Sequence, residues 1–252
     1  TDGGQYTSNY LSLQTQFNAE LNFWNDLLRV NTDFTYRRGA TQDETYRTRY
    51  NIGYGPEDIR EEGNNFAREG DLFENYTVLN TYATLHQQWG MHDLTAVVGY
   101  NQEYYQLDGL TAQRNQLISP AFPSVGLATG EIFLTDNATD WVIRGAFYRL
   151  NYILQDKYIL EFNGRYDGSS RFPKDSRFGF FPSASAAWRI DQEAFLSNVN
   201  VISNLKLRAS YGSLGNQSVG DYGYIPTLEA GASDYLIGGT LPQVVTPPFL
   251  VS

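Results

Sequence analysis

The chain has 252 residues, no cysteine and a formal net charge of −10. Without cysteine it can form neither disulfide bonds nor thiolate metal sites, and an acidic chain with no basic patch argues against nucleic-acid binding. No apolar run approaches the roughly 18 residues of a transmembrane helix. A membrane β-barrel is not excluded, because its strands place lipid-facing residues only at alternate positions.

Alternation of apolar and polar residues with a period of two dominates the sequence. In Tyr158–Arg189, Phe162 and Phe180 fall on the apolar faces of two successive strands. Glu161 and Arg165 fall on the opposite face of the first of these strands. Successive strand side chains point to opposite faces, so this alternation predicts a hairpin with one apolar and one charged face. Eight segments with this pattern are predicted strands: Tyr10–Trp24, Leu28–Arg37, Tyr76–Trp89, Asp93–Tyr105, Trp141–Leu154, Lys157–Asp167, Phe178–Arg189 and Asn204–Gly212.

Three further segments complete the predicted secondary structure. Tyr46–Tyr54 and Tyr222–Leu228 are candidates for two more strands, which would bring the total to between eight and ten. Asp191–Leu196 is predicted to form one helical turn between two strands, and Asn25-Asp26 to form a tight turn.

The predicted connections alternate in length. Short turns of two or three residues mostly join the strands within a pair, whereas long polar segments join one pair to the next. The long segments are Arg38–Asn75, Gln106–Asp140, Gly168–Arg177 and everything after Ser213. Outer-membrane barrels sort their loops in this way, with the long ones outside the cell, and a soluble sandwich has no reason to do so.

The four tryptophans agree with this arrangement. Trp24, Trp89 and Trp188 fall at strand ends beside short turns, and Trp141 falls where a strand leaves a long loop. Tryptophan gathers at membrane interfaces, so all four are predicted to belong to interfacial girdles. The apolar strand faces are therefore expected to point outward to lipid.

Three stretches resemble a known family. They are FYRLNYILQDKYIL (Phe147–Leu160), RYDGSSRFPKDSRFGFFPSASAAWRI (Arg165–Ile190) and LKLRASYGSLGNQ (Leu205–Gln217). Together they are similar to the C-terminal barrel region of SusC-like (RagA-like) TonB-dependent outer-membrane transporters of Bacteroidota. The resemblance implies an all-β fold, a fragment of a large antiparallel transmembrane β-barrel of about 22 strands. Residues 1–252 are then expected to form part of that barrel, with neither plug domain nor TonB box.

The resemblance also implies a function. Such transporters import oligosaccharides or peptides across the outer membrane of Gram-negative bacteria. They work with a SusD-like surface lipoprotein, draw energy through TonB and stand in outer-membrane lipid. The alternative is a β-protein that does not transport, such as a carbohydrate-binding or adhesin-like surface module, since the aromatic content would also suit sugar stacking.

Two groups of residues are candidates for contact with a substrate or partner. Tyr104 and Tyr105 stand beside acidic residues at a strand end and could stack on a sugar, or they could form an ordinary solvated strand end. Arg165, Asp167 and Arg171 surround the Gly168-Ser169-Ser170 loop. They could contact substrate, plug or partner, or form a salt-bridged loop that fixes the hairpin.

Catalysis and metal binding find little support in the sequence. His86 lies on a polar strand face and His92 in a turn, and neither has partners for a catalytic triad or a metal site. The run Asp136–Asp140 has oxygen ligands at alternate positions, but it lacks the glycine and glutamate of a calcium-binding EF-hand loop. We therefore expect no enzymatic activity, no cofactor and no resident metal.

Overall fold

A computed structural model describes residues 3–196, 201, 203–225, 229–232 and 243–246. The strands are β1 (Gly4–Phe23), β2 (Leu28–Arg47), β3 (Tyr50–Gly53), β4 (Ile59–Glu62), β5 (Phe66–Trp89), β6 (His92–Asn115), β7 (Ile132–Leu154), β8 (Tyr158–Ser169), β9 (Phe178–Arg189), β10 (Lys206–Gly212), β11 (Glu229–Ala232) and β12 (Gln243–Thr246). Eight of them form one antiparallel sheet in the order β1-β2-β5-β6-β7-β8-β9-β10, and β3–β4 and β11–β12 form two separate two-stranded sheets. Among the described residues, no helix is long and apolar enough to cross a membrane.

All eight predicted sheet strands are confirmed, but four of them are much longer than predicted. β2 continues to Arg47 and β5 begins at Phe66, so most of the segment predicted to be a long loop between them is paired strand. β6 likewise continues to Asn115 and β7 begins at Ile132. Both faces of these extensions carry polar residues, so hydrophobic alternation stops although the backbone ladder continues.

The minor predictions have mixed outcomes. The strand predicted at Tyr46–Tyr54 divides between the end of β2 and the short β3. The strand predicted at Tyr222–Leu228 is wrong as far as the structure describes it, because residues 222–225 form a turn and residues 226–228 lie outside the described residues. The predicted helical turn is confirmed as two short 3-10 turns, Ile190–Gln192 and Ala194–Leu196.

The short connections are tight turns of left-handed backbone. Asn25 and Asp26 have φ of 56° and 66°, which confirms the turn predicted between β1 and β2. Gln155 and Asp156 have φ of 56° and 57°, and the Lys157 N–H donates to the Leu154 carbonyl at 3.0 Å. Positive φ at both central residues matches the right-handed twist of antiparallel strands and holds β7 and β8 together.

Opposite faces of the sheet differ in polarity. One row of directly paired positions crosses all eight strands and is apolar or aromatic throughout: Phe23, Leu28, Leu85, Ala96, Leu150, Phe162, Ala184 and Tyr211. The next row runs on the other face through small, polar and basic residues with a single valine: Arg29, Thr84, Val97, Arg149, Asn163, Ser183 and Gly212.

No described part of the chain covers the apolar face. Phe162 is 47% exposed and Tyr211 86% exposed. The buried hydrophobic residues within the described part of the chain are only Ala67, Leu117 and Ala128, which lie where the loop after β6 folds back. In water, an exposed apolar surface of this extent would drive association. The face is therefore built to meet lipid or another apolar environment.

Candidate functional site

An aromatic cluster lies on the polar face near the long loops. Tyr76, Tyr105 and Trp141 are direct neighbours on β5, β6 and β7. The rings of Tyr105 and Trp141 stack with centroids 5.5 Å apart and planes inclined by 21°, and Tyr76 lies 6.2 Å from Trp141. Sheet register alone brings the three rings together, because each residue stands directly opposite the next.

Charged groups surround these rings. The Tyr76 hydroxyl donates to Glu103 Oε2 at 2.8 Å, and the Arg37 guanidinium carbon lies 5.2 Å from the centre of the Tyr76 ring. The Tyr10 hydroxyl donates to Glu74 Oε1 at 2.8 Å, and the Arg37 Nε lies 3.9 Å from the same oxygen. These contacts fix the tyrosine and arginine side chains in one network across β1, β2, β5 and β6.

A second charged group lies on β8. Arg165 donates to both oxygens of Asp167, from Nε at 2.9 Å and from a terminal nitrogen at 3.0 Å, in a bidentate pair. The pair lies over Gly145 of β7, where an added Cβ would be only 3.1 Å from the Asp167 Cγ. The guanidinium also lies 5.4 Å from the centre of the Phe147 ring. The absence of a side chain at residue 145 therefore makes room for this pair.

The segment after β10 folds back over this face. We call residues 213–225 the return segment. Asp221 accepts from Arg171 Nε at 2.6 Å and from the Thr139 hydroxyl at 3.0 Å, and Tyr222 donates to Asp140. Because β8 ends at Ser169, this part of β7 lies beyond the sheet pairing with β8, and the return segment packs against it.

A cavity lies between the return segment and the sheet. Its volume is about 390 Å³, and its wall combines Glu103, Arg165 and Asp167 with Phe181 and with residues 214–217. Gly215 lies directly against Phe181, since a Cβ there would be 2.6 Å from the ring atom Cε1. An aromatic ring, an arginine–carboxylate pair, a second carboxylate and backbone groups thus face one space.

The predicted site residues divide into three groups. Arg165 and Asp167 line the cavity, and Tyr105 stacks on Trp141 beside it. Tyr104 points to the opposite, lipid-facing side, where its hydroxyl donates to Gln106 at 3.3 Å. Arg171 does not line the cavity: it pairs with Asp221 and covers the Trp141 ring at 4.8 Å, which fits the alternative of a structural salt bridge.

Trp141 differs from its predicted place. It lies on the polar face with Tyr76 and Tyr105 and not in a lipid-facing girdle. Trp89 and Trp188 do lie on the apolar face near the short turns. The sequence held one usable signal, since Trp141 shares strand parity with Ile143 and Gly145 and not with the apolar Ala146 and Tyr148.

The remaining chemical candidates form ordinary contacts. His86 Nε2 lies 3.1 Å from Asp93, and His92 Nδ1 lies 2.6 Å from the Tyr152 hydroxyl. Residues 136–140 lie within β7, so their side chains alternate between the two faces. Within the described ranges, no group of three or more His, Asp or Glu residues is arranged to hold a metal ion.

A separate polar contact at the other end of the sheet joins the tight turn between β7 and β8 to the longer connection after β9. Glu193, in the connection after β9, accepts from Trp188 Nε1 at 3.0 Å and from the Tyr158 hydroxyl at 2.8 Å, and pairs with Lys157 Nζ at 3.0 Å. These hydrogen bonds, with that of Trp188 foremost, lower the pKa of the Glu193 carboxyl from its ordinary 4.5 to about 2.

This contact predicts a pH dependence. The folded state binds a proton at Glu193 more weakly than the unfolded chain does, so the stabilisation is complete above about pH 4.5 and disappears as the pH falls towards 2. We expect Glu193→Gln to unfold at lower urea concentration than the wild type at pH 6, with a difference that shrinks steadily below pH 4.5. A difference that stays constant down to pH 2 would contradict the assignment.

The two faces of the sheet define its class. The sheet has an exposed apolar face, a polar and charged opposite face, mostly tight turns at one end and mostly longer connections at the other. Such a sheet is the wall of a transmembrane β-barrel. The apolar face meets lipid, and the polar face with its aromatic cluster and cavity lines the interior. Among the described residues, β1 and β10 each have one edge without a strand partner, and closure of a barrel pairs such edges with neighbouring strands.

The family is shown by comparison with known proteins. Residues 1–246 match the family described as TonB dependent receptor-like, beta-barrel, so this chain belongs to that family. It is accordingly an outer-membrane protein of Gram-negative type, and the eight-stranded sheet is an unclosed part of the barrel. The fold class and localisation expected from the resemblance are confirmed.

Individual relatives agree with the family. The chain is 35% identical over 168 residues to the TonB-dependent receptor SusC of Bacteroides thetaiotaomicron. The matched region covers 65% of this chain and 16% of SusC. It is 34% identical over 167 residues to the TonB-dependent receptor P3 of Formosa agariphila, and that match covers 65% of this chain and 16% of P3. The structure of the RagAB peptide transporter shares the fold, with a TM-score of 0.82 at 19% identity over 97% of this chain and 26% of that one. The chain thus spans about a sixth of the length of SusC and of P3.

Proposed function

We propose that this chain is part of the barrel wall of a TonB-dependent importer that carries oligosaccharides or peptides across the outer membrane. Membership of the receptor-barrel family and the similarity to SusC and to the RagAB peptide transporter support import in general. By the same similarity we propose a SusD-like surface lipoprotein as partner and TonB as the source of energy. The family match favours this function over a surface module that does not transport.

The cavity beneath the return segment carries the proposal for this class of substrate. Phe181 offers an aromatic face, and the Arg165–Asp167 pair and Glu103 offer charged donors and acceptors within the same wall. The stacked Tyr105 and Trp141 lie beside it on the interior face. Sugars and peptides both present apolar faces edged by hydroxyl or amide groups, which such a mixture of rings and polar groups can bind.

The test compares two adjacent tyrosines that lie on opposite faces of β6. Deletion of the gene in its native host should abolish growth on one class of oligosaccharide or peptide as sole nutrient, which identifies the substrate. Tyr105→Ala, on the interior face, is expected to raise the half-saturating concentration for uptake of that nutrient about tenfold, because it removes an aromatic ring beside the cavity.

Tyr104→Ala is the matched control. It removes the same side chain from the lipid-facing side and should leave the half-saturating concentration within about twofold of the wild type, since no substrate contact is lost. A deletion strain that takes up every oligosaccharide and peptide as its parent does would overturn the proposed function. Equal effects of the two alanine variants would instead overturn only the assignment of the site.

A further inference from the structure

Two arginines on the lipid-facing side of the sheet have no partner among the residues that the structure describes. Arg38 of β2 and Arg144 of β7 follow the parity of the apolar face, and both are exposed. Within the described part of the chain, neither guanidinium makes a hydrogen bond or ion pair. The ion-paired Arg37 and Arg165, by contrast, point to the interior.

The two arginines occupy equivalent positions on their strands. Arg38 is the tenth residue after Leu28, and Arg144 is the tenth residue before Leu154. Leu28 and Leu154 are the outward residues beside the short turns, and the outward positions from there to each arginine carry no charge: Val30, Thr32, Phe34 and Tyr36 on β2, and Tyr152, Leu150, Tyr148 and Ala146 on β7.

The stagger of the sheet places both arginines at one height. Leu28 pairs with Leu85, Leu85 with Ala96, and Ala96 with Leu150. The turn that begins after Leu154 therefore lies four residues further along the strand direction than the turn before Leu28, and three strand spacings separate β2 from β7. Four residues measure about 14 Å along a strand, and three strand spacings measure about 14 Å across the sheet. If the two turns stand at one height, the strands tilt by roughly 45°, as in outer-membrane barrels. Ten residues then rise about 25 Å along the membrane normal, which is the height of the apolar band.

Amide groups continue this row between the arginines. Asn75 of β5 pairs directly with Arg38, and Gln102 of β6 pairs directly with Arg144. Asn75 itself pairs with Gln106, so a row of one height takes up the four-residue stagger between β5 and β6. The Tyr36 hydroxyl donates to Asn75 Oδ1 at 3.1 Å, and the Tyr100 hydroxyl donates to Gln102 Oε1 at 2.8 Å.

With their oxygens engaged, both amides keep N–H donors for another group. No carboxylate lies in this row or in the outward rows directly above and below it, among the residues described on β2 to β7.

We infer that this row, which we call the rim row (Arg38, Asn75, Gln102 and Arg144), binds phosphate groups of lipid headgroups in the outer leaflet. It lies at the long-loop end of the apolar band, which in outer-membrane barrels is the extracellular side. Guanidinium groups bind phosphate oxygens through paired hydrogen bonds, and Tyr36 and Tyr100 sit one step below at the depth where aromatic rings prefer the interface. Among the described residues of β2 to β7, a row of free N–H donors with no carboxylate beside it at headgroup height is complementary to such phosphates.

The experiment measures lipid binding by the detergent-solubilised protein with native mass spectrometry. The probes are lipid A that carries two phosphates and the same lipid after enzymatic removal of its phosphates. The double variant Arg38→Gln/Arg144→Gln is expected to raise the apparent Kd for the phosphorylated lipid about tenfold or more, because charge-assisted hydrogen bonds are lost. The dephosphorylated lipid should bind all variants equally weakly, and inorganic phosphate should not displace the lipid.

Arg29→Gln/Arg149→Gln is the matched control, since these arginines lie on the same two strands but face the interior, and it should change the Kd by less than about twofold. Arg38→Lys/Arg144→Lys keeps the positive charge at both positions and should retain most of the affinity for the phosphorylated lipid. Such retention would show that substitution at these two positions does not disrupt the fold. The inference is overturned if the glutamine variant binds phosphorylated lipid as the wild type does. Equal binding of the dephosphorylated lipid to the wild type, or displacement by inorganic phosphate, would also overturn it.

Discussion

Replacing Leu79 by arginine should lower the free energy of unfolding in lipid vesicles by about 2–4 kcal/mol, the cost of a basic side chain near the middle of the lipid face of a barrel. Leu79 of β5 pairs with Phe34 of β2 on the apolar face, and Phe34 in turn stands opposite the exposed Phe17. It lies six residues from Leu85 and four from Asn75, and the outward positions between those two carry no charge, so the new arginine would stand within the apolar band. The measurement is urea-induced unfolding of the vesicle-embedded protein.

The preceding residue supplies the control. Val78 points to the interior, directly opposite Glu103 of β6. Val78→Arg should therefore change the free energy of unfolding by less than about 1 kcal/mol. The new cation would face water beside a carboxylate, and solvent-exposed ion pairs contribute little to stability. If Val78→Arg were the costlier variant, the assignment of the two faces would be reversed. If the two variants cost the same, the sheet would not separate lipid from water.

Removal of the Arg171–Asp221 ion pair should release the return segment. The two side chains are only 19% and 24% exposed, their atoms meet at 2.6 Å, and Arg171 also covers the Trp141 ring. Arg171→Ala leaves Asp221 partly buried, with Thr139 as its remaining side-chain hydrogen-bond partner among the described residues, which should cost about 1.5–3 kcal/mol of local stability. Hydrogen exchange of peptides within residues 213–225 should accelerate about ten- to a hundredfold.

A double-mutant cycle separates the pair from its surroundings. Arg171→Ala and Asp221→Ala together should cost less than the sum of the single changes, because each alone leaves a charge without its partner. Lys174→Ala in the same loop, at an exposed position, should leave the exchange of residues 213–225 unchanged. Additive effects of the two alanine changes would show that Arg171 and Asp221 do not hold the return segment through each other.

Hydrophobic alternation predicted the parts of the strands that lie in the membrane and missed their extensions. Between Leu28 and Tyr36, one face must be apolar and the other polar, so the pattern is visible in the sequence. Beyond Arg38, β2 stands in water on both sides, and its pairing with β5 depends on backbone hydrogen bonds that any polar residue permits. The predicted long loops were therefore too long.

The site was predicted only in part for a related reason. Arg165 and Asp167 fall on the charged face of a strand whose parity is unambiguous, and the structure places both in the cavity wall. Tyr104 and Tyr105 are adjacent and chemically alike, so the sequence could not say which of them faces the interior. The pairing of Tyr105 with Tyr76 and Trp141 decides it, because register determines which neighbours a strand residue meets.

The sequence by itself determined the class of this protein, its eight principal strands and the polarity of their faces, because a lipid-facing surface requires an apolar residue at every second position. Only the tertiary structure decided which distant residues meet. The contact of Asp221 with Arg171 and the common height of Arg38 and Arg144 depend on strand register, on stagger and on the path of the return segment. These properties arise from hydrogen bonding between segments far apart in the chain, and no local sequence pattern encodes them.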